Sequence, residues 1–237
     1  FVSQFTSDQL AVFVCGTGWG VEGDRNPIIG ANSESVPGAA GETTHTLEKV
    51  YQVPSVVMAD GPGGVRVTQH FTARNVETGK EQEVFHYCIA WPSGTVLAQS
   101  FDRSIAEAVG EGMRNDLAAM KIGIFLAPGI NIQRNPLCGR NFEYYSEDPL
   151  VAGEMAAAIV KGIQKDHKAV ACIKHFAANN QETNRNANNS VVGQRALREI
   201  YLEPFRLGVE KGDAMTIMTS YNKINGVPTA DSYDLCT

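Results

Sequence analysis

Short apolar runs that end abruptly in polar residues recur along this chain and limit the folds open to it. The run at 169–173 is rich in small and β-branched residues, and Lys174 and His175 follow it at once. Runs of this length between polar segments are typical of buried strands. Asp60 and Tyr221 stand at the ends of two similar runs. Because functional residues of a parallel barrel lie at the carboxyl ends of its strands, the three ends are predicted to line one site.

The whole set of apolar runs predicts an α/β fold. Strands are predicted at residues 54–60, 95–100, 122–128, 169–175 and 215–221. Repeated strand and helix segments indicate a parallel sheet. About five strands are too few to close an eight-stranded barrel, so the chain is predicted to form an incomplete one. Residues 16–49, rich in Gly, Asn and Ser, are predicted to form a long loop that is functional or faces another subunit.

Helices are predicted between the strands. Apolar residues at every fourth position indicate amphipathic helices at 105–117 and 151–163. Residues 194–211 are predicted to be helical, with a kink or a restart at Pro204. Near the start of the chain, Thr6 and the two residues after it are predicted to cap a helix over 9–13.

Composition excludes several classes of function. The 237 residues are 43% hydrophobic and 19% charged, which is ordinary for a soluble globular protein. The net charge of −6 disfavours a nucleic-acid partner, and no apolar stretch approaches the ~20 residues of a membrane span. The five cysteines are far apart and form no metal-binding pattern, so we expect no metal, no cofactor and reduced thiols in a cytoplasmic protein.

Two strand ends offer candidate site residues. Asp60, before Gly61, is either a turn aspartate or a carboxylate that accepts hydrogen bonds from a polyhydroxylated ligand, and it is expected to be ionised. Arg66 is predicted to donate to the same ligand or to pair with Asp60. Lys174 and His175 are either solvated or act as two cationic donors, which suit sugar hydroxyls or a nearby carboxylate. Since neighbouring strand residues point to opposite faces, one of them is predicted to face the lumen and the other the rim.

Weaker candidates lie in the polar segment 135–149 and near the end of the chain. Arg140 offers a forked donor, and the tyrosines nearby can stack on a sugar face. Asp148 is predicted to cap the following helix rather than to act in a site. Tyr221 is either an ordinary strand-end tyrosine or a site residue, and Asp231 is predicted to cap the terminal segment.

Four segments in one order resemble glycoside hydrolase family 3, the β-glucosidase family. They are Ala-Asp-Gly-Pro-Gly-Gly-Val-Arg at 59–66, Gly-Arg-Asn-Phe-Glu-Tyr-Tyr-Ser-Glu-Asp-Pro at 139–149, Lys-His-Phe-Ala-Ala-Asn-Asn-Gln-Glu at 174–182 and Met-Thr-Ser-Tyr-Asn-Lys-Ile-Asn-Gly-Val-Pro at 218–228. The resemblance runs from about residue 5 to the last residue. Four long motifs in this order make it specific.

The resemblance implies a catalytic (β/α)8 TIM-type barrel, of which residues 1–237 are a part, usually joined to a second α/β sandwich domain. It implies a retaining, exo-acting hydrolase that removes a terminal β-linked sugar, with a β-glucosidase as the first expectation. The −1 subsite would be formed by Asp60, Arg66, Arg140, Lys174, His175 and Tyr221, with Met218 near the same pocket. The expected partners are a β-linked glucoside or oligosaccharide and the remainder of the same enzyme, which is either present as a second chain or was present before cleavage.

The two catalytic carboxylates of such an enzyme are expected outside these residues. A retaining mechanism uses a nucleophile and an acid/base about 5 Å apart. In the family the nucleophile is an Asp in a Ser-Asp-Trp-like strand end, after a helix that would begin near Asp231. No such motif occurs before Thr237. The acid/base usually comes from the second domain. We therefore expect a chain cut at both ends and inactive by itself.

Other functions fit parts of the same pattern. A β-xylosidase or arabinofuranosidase of the family would share the pocket residues. The N-acetylglucosaminidase subgroup has a second His in its Lys-His-Phe motif, which is absent after Phe176. A non-catalytic sugar-binding fragment also fits. A phosphate-binding barrel is disfavoured because the chain has no glycine-rich P-loop.

Overall fold

The computed structural model describes residues 2–16, 33, 35–44, 48–75 and 77–237. Its strands are β1 Gly41–Glu42, β2 Val57–Asp60, β3 His70–Arg74, β4 Glu81–Phe85, β5 Ile124–Leu126, β6 Val170–Phe176, β7 Asn189–Ser190, β8 Thr216–Thr219, β9 Lys223–Ile224 and β10 Val227–Pro228. Its α-helices are α1 Ser7–Cys15, α2 Glu48–Tyr51, α3 Gly94–Gln99, α4 Arg103–Ala119, α5 Pro149–Gln164, α6 Gln194–Ala196, α7 Glu203–Glu210 and α8 Tyr233–Cys236.

The main sheet has the strand order β1-β2-β5-β6-β8. The last four strands run parallel, while β1 pairs with β2 in the antiparallel sense. Ile124 of β5 lies opposite Met58 on one side and Val170 on the other, so the carboxyl ends of β2, β5 and β6 meet at one edge. The sheet curls as part of a (β/α)8 TIM-type barrel, which confirms the predicted fold class.

The predicted strand at 95–100 is wrong, because these residues form α3. Leu97 and Ala98 are buried on one face of this helix, while Val96 is exposed on the other. A short apolar run fits a strand or a helix equally well by periodicity, which explains the error. The fifth strand of the sheet is instead β1, which lies in the predicted loop at 16–49. Part of that loop lies outside the described residues.

The two long predicted helices, α4 and α5, are confirmed. Their apolar stripes pack against the sheet and each other, with Met113 and Ile159 fully buried. At their crossing, a Cβ on Gly110 would lie 2.4 Å from the carbonyl oxygen of Ile159, so only glycine permits this close approach. Asp148 caps α5 as predicted, since its carboxylate accepts hydrogen bonds from the backbone N–H groups of Leu150 and Val151.

Helix α1 and the helical segment around Pro204 follow the sequence-based predictions. Thr6 caps α1 and accepts a hydrogen bond from the backbone N–H of Gln9. Pro204 stands in the first turn of α7, which restarts the helix after a π-helical turn over Leu197–Tyr201. The predicted capping role of Asp231 is wrong. This residue ends a 3₁₀ turn, and Ser232 occupies the capping position of α8.

The core lies between the sheet and helices α4, α5 and α7, around the fully buried Phe125 and Ile173. In the part of the chain that the structure describes, β8 is an edge strand of the main sheet, and its Ile217 is exposed. Among the described helices, none is long and apolar enough to cross a membrane.

Candidate functional site

A cavity of about 550 Å³ opens at the carboxyl ends of the parallel strands. This volume is within the usual range for a small-molecule site. The structure brings all seven sequence-predicted site residues to its wall: Asp60, Arg66, Arg140, Lys174, His175, Met218 and Tyr221. The wall also contains residues that the sequence did not single out: Cys15, Ala40, Gly41, Glu42, Met58, Leu126 and Arg185.

Asp60, the last residue of β2, binds two cations with its two carboxylate oxygens. Nζ of Lys174 donates to Oδ1 at 2.7 Å, and the guanidinium of Arg66 donates to Oδ2 at 3.0 Å. Burial acts to raise the pKa of Asp60, but Lys174, Arg66 and Arg140 outweigh it and hold that pKa below its ordinary value. The carboxylate is therefore ionised, as expected, and acts as a hydrogen-bond acceptor.

Lys174 and His175 both line the cavity, although neighbouring residues of a regular strand point to opposite faces. Lys174 lies opposite Met218 of β8, but Phe176 lies opposite the next residue, Thr219. The register therefore shifts between Lys174 and Phe176. Such an irregularity re-aims side chains and interrupts the alternation of faces.

Asn131, which the sequence analysis missed, holds His175. Its Nδ2 donates to the carbonyl oxygen of His175 at 2.8 Å, and its Oδ1 accepts from the backbone N–H at 2.9 Å. The same Oδ1 lies 3.1 Å from ring Nδ1, and the hydroxyl of Tyr144 lies 3.3 Å from Nδ1. Because an amide oxygen only accepts, we assign the ring proton to Nδ1, which leaves Nε2 as an acceptor.

The His175 ring is neutral in this environment. Burial, with the positive charges of Arg140, Lys174 and Arg185, lowers the pKa of His175 well below its ordinary value. The prediction from sequence treated Lys174 and His175 as two cationic donors. The structure instead gives one cation and one neutral ring, so the pair offers both donors and an acceptor to hydroxyl groups.

Arg140 is paired with Glu143, a buried carboxylate next to the cavity. Nε of Arg140 donates to Oε1 of Glu143. Burial acts to lower the pKa of Arg140, but the hydrogen bond and the charge of Glu143 raise it above its ordinary value. The guanidinium therefore stays charged while one of its edges is held.

The outer wall of the cavity is more exposed. The guanidinium of Arg185 lies over the ring of Tyr221, at 5.2 Å from the ring centre, and donates to Glu182 at 2.9 Å. Arg185 lies in a polar stretch without periodicity, so no local signal in the sequence distinguished it.

Glu42 is fully buried, and its Oε1 accepts from the backbone N–H of Ser35 at 3.3 Å. It was missed because it belongs to β1, inside the predicted loop.

Comparison with known proteins identifies the family. The model of the glycosyl hydrolase family 3 N-terminal domain matches residues 31–237. A β-glucosidase from Ruminococcus albus is 38% identical over 237 residues, which is 100% of this chain and 22% of that protein. Thermostable β-glucosidase B from Acetivibrio thermocellus is 42% identical over 185 residues, which is 78% of this chain and 24% of that protein.

Solved structures agree with the sequence relatives. β-Glucosidase 3B from Thermotoga neapolitana in complex with glucose matches with a TM-score of 0.84 and 42% identity, over 99% of this chain and 30% of that chain. A β-glucosidase from Paenibacillus barengoltzii matches with a TM-score of 0.80 and 39% identity, over 100% of this chain and 23% of that one. The chain thus spans less than a third of each of these proteins. From its motifs, fold and relatives, the chain belongs to glycoside hydrolase family 3.

Proposed function

We propose that this chain forms the sugar-binding part of an exo-acting β-glucosidase and holds the terminal, non-reducing β-linked glucose. The observation that carries the proposal is the convergence of Asp60, Arg140, Lys174 and His175 on one cavity. Charged donors and acceptors converging in a pocket suit a ligand with a hydroxyl on nearly every carbon. Relatives named β-glucosidase, and a structural neighbour solved with glucose, support the same assignment.

The ionised carboxylate of Asp60 favours a neutral polyol over an anion at its position. Asp60 is ionised at the end of β2, next to Lys174 and Arg66. A carboxylate accepts hydrogen bonds from hydroxyls and repels a phosphate. Lys174 and Arg140 donate, and neutral His175 presents an acceptor at Nε2. A pocket that pairs each hydroxyl strongly rejects sugars that lack one or carry it inverted.

In our proposal the hydrolysis is retaining, and the nucleophile and the acid/base are supplied by the remainder of the enzyme. We use "complete enzyme" for this chain together with the polypeptide that corresponds to the rest of its relatives' length. The residues described above bind and orient the terminal sugar. The carboxylates that act on the glycosidic bond are then brought to it from outside the cavity wall.

A pentopyranosidase is the second candidate, and a specific comparison favours it. An exo-α-(1→6)-L-arabinopyranosidase from Bifidobacterium longum is 43% identical over 185 residues, which is 78% of this chain. Arabinopyranose, like xylose, lacks the hydroxymethyl group of glucose. A β-xylosidase belongs to the same class of candidate. The pocket would then bind a ring with one hydroxyl fewer.

The test is the rate of hydrolysis of three aryl glycosides by the complete enzyme: β-D-glucoside, β-D-xyloside and α-L-arabinopyranoside. We expect the highest kcat/KM for the β-glucoside. We also expect Asp60→Ala to lower kcat/KM for it by about 100-fold or more, because the buried cation Lys174 loses its partner and a sugar hydroxyl loses its acceptor. The matched control is Asp234→Ala, an exposed aspartate outside the cavity.

Each other outcome points to a different function. A higher kcat/KM for either pentopyranoside would replace the glucosidase by the second candidate. If the complete enzyme cleaved no glycoside and bound no glucose, the proposal would be wrong. Glucose binding without hydrolysis would leave a sugar-binding module. Tighter binding of inorganic phosphate by Asp60→Ala, with no glucose binding by the unaltered protein, would support a phosphate site.

A further inference from the structure

Glu143 is a buried carboxylate at the site for which the proposed function gives no role. Its side chain is 3% exposed, and Oε1 accepts the hydrogen bond of Arg140 Nε. Its other oxygen, Oε2, is buried and has no hydrogen-bond partner among the described residues. Burying a carboxylate with one oxygen unpaired costs free energy of folding, so its presence next to a sugar-binding cation requires a reason.

The backbone around Glu143 is held by several independent contacts. The hydroxyl of Thr95 donates to the carbonyl oxygens of Asn141 and Tyr144, both at 3.0 Å. Nε2 of Gln133 donates to the same two carbonyls at 2.8 and 3.1 Å. The 3₁₀ turn Asn141–Glu143 is therefore fixed from outside the cavity. The backbone that carries the Glu143 side chain is thus held independently of the pair with Arg140.

Glu143 also packs against the segment that supports the deepest residues of the cavity. A Cβ added to Gly129 would lie 3.1 Å from Oε2 of Glu143, so the absence of a side chain there leaves room for the carboxylate. Gly129 bridges to Lys174, and the next residue, Ile130, donates its N–H to the Lys174 carbonyl at 2.7 Å. Glu143 thus lies between Arg140 and the backbone that places Lys174.

The geometry of arginine gives this contact a consequence. The guanidinium is a planar fork, so holding its Nε edge fixes the direction of the two terminal nitrogens. Arg140 lines the cavity, and no hydrogen bond within the described residues uses its terminal nitrogens. These nitrogens remain for a ligand, in an orientation that Glu143 sets.

We propose that Glu143 is a positioning residue that aims the terminal N–H groups of Arg140 at a particular hydroxyl of the terminal sugar, and that it thereby contributes to the selectivity of the pocket. This inference rests on the proposed function. A carboxylate that only stabilised the fold would affect every ligand alike. A positioning residue affects most the ligands that carry the hydroxyl which Arg140 binds.

The test is calorimetric binding of glucose and its 2-, 3-, 4- and 6-deoxy forms to the complete enzyme. Four proteins are compared: unaltered, Arg140→Lys, Glu143→Gln and the double variant. Glu143→Gln retains the length and an acceptor oxygen but removes the charge, and Lys cannot form the fork. The matched control is Glu147→Gln, the same change at an exposed position of the same segment and outside the cavity.

The expected result is a loss of glucose affinity of about tenfold in Glu143→Gln, since a charge-assisted hydrogen bond is replaced by a neutral one. For one deoxy sugar, the affinity of both Glu143→Gln and Arg140→Lys should stay close to that of the unaltered enzyme. This sugar should be the same for both variants, because it lacks the hydroxyl that Arg140 binds. The double variant should bind glucose about as well as Arg140→Lys alone, because both changes remove one function.

Three results would overturn the inference. One is an equal loss of affinity for glucose and every deoxy sugar in Glu143→Gln, and another is full additivity of the two single changes. In both cases the unaltered enzyme still binds glucose, so the proposed function stands. The third result is that the unaltered enzyme binds no glucose, in which case the inference and the proposed function both fail. Should Glu143→Gln not fold, Glu143→Asp replaces it, since it retains the charge but shortens the reach, and the same deoxy-sugar pattern is expected.

Discussion

The floor and the mouth of the cavity carry similar chemical groups in different surroundings. The floor consists of Lys174 and His175, both buried in β6. The mouth consists of Arg66, Arg185 and Tyr221, which lie on segments outside the strands and are partly exposed. The backbone of Lys174 is bound on both sides, to Pro128 and Ile130 of the neighbouring segment. Of the mouth residues, Arg66 is joined to the main sheet by one backbone hydrogen bond, in which its N–H donates to the carbonyl oxygen of Asp60 at 2.8 Å.

Asp60 allows the two regions to be compared directly, because each supplies it with one cation. Lys174 binds one oxygen with a side chain that is 3% exposed, and Arg66 binds the other with a side chain that is 52% exposed. Water and salt screen the exposed pair, while burial strengthens the other. The two distances, 2.7 and 3.0 Å, are nearly alike. The comparison therefore separates the effect of surroundings from that of geometry.

Removing the floor cation should have the largest effect. Lys174→Met retains the apolar length of the side chain but leaves Asp60 without its buried partner. Truncating one member of a buried pair costs about 2–5 kcal/mol, which corresponds to roughly 30-fold or more in affinity. We expect glucose affinity of the complete enzyme, measured by titration calorimetry, to fall by at least that factor.

Lys161→Met is the matched control for this change, because Lys161 is exposed on α5 and lies outside the cavity wall. It should leave glucose affinity unchanged. If Lys174→Met bound glucose as tightly as the control, the floor would contribute no more than a surface residue. The distinction between floor and mouth would then be lost.

The floor was largely predictable from the sequence, for a physical reason. A strand buried on both faces needs a continuous apolar run, so the point at which the run ends marks the carboxyl end of the strand. That rule placed Lys174 of the floor at the same edge of the sheet as Asp60 and as the mouth residue Tyr221, and the structure agrees. The rule failed at 95–100, where an equally short apolar run forms a helix.

The supporting residues could not be predicted in the same way. Asn131 contacts His175 across 44 positions of sequence, and no local pattern specifies such a contact. Glu143 belongs to a recognised motif, but its pairing with Arg140 depends on how the 3₁₀ turn is held by Thr95 and Gln133. Strand β1 has two residues in a glycine-rich stretch, which is too short for an alternation to be read.

The next largest effect concerns His175, the second residue of the floor. It is an effect on how the stability of the folded enzyme depends on pH. The folded-state pKa of His175 is lowered well below the ordinary 6.5. As pH falls below about 6.5, the unfolded chain binds a proton that the folded state does not accept, so the folded state loses stability. The contribution is present above pH 6.5 and declines below it, by at most roughly 1.4 kcal/mol per pH unit.

Urea denaturation of the complete enzyme at pH 7.5 and 5.5 measures this contribution. His175→Gln should lose less stability between the two pH values than the unaltered enzyme does, because it lacks the group that titrates. His167→Asn, at an exposed histidine, should retain the full loss. Asn is chosen there because it tolerates the positive φ of 57° at residue 167. Equal losses in all three proteins would mean that His175 is protonated in the folded state.

The smallest effect is expected at the mouth. Arg66→Gln removes the exposed cation from Asp60 but leaves Lys174 in place, so Asp60 stays ionised and bound. An exposed ion pair contributes about 0–1 kcal/mol, which corresponds to less than about fivefold in glucose affinity. Raising the salt concentration should weaken glucose binding by the unaltered enzyme slightly, and that sensitivity should be smaller in Arg66→Gln. If Arg66→Gln instead matched the loss in Lys174→Met, Arg66 would bind the sugar directly in a closed pocket. The mouth would then have to be buried by the remainder of the complete enzyme.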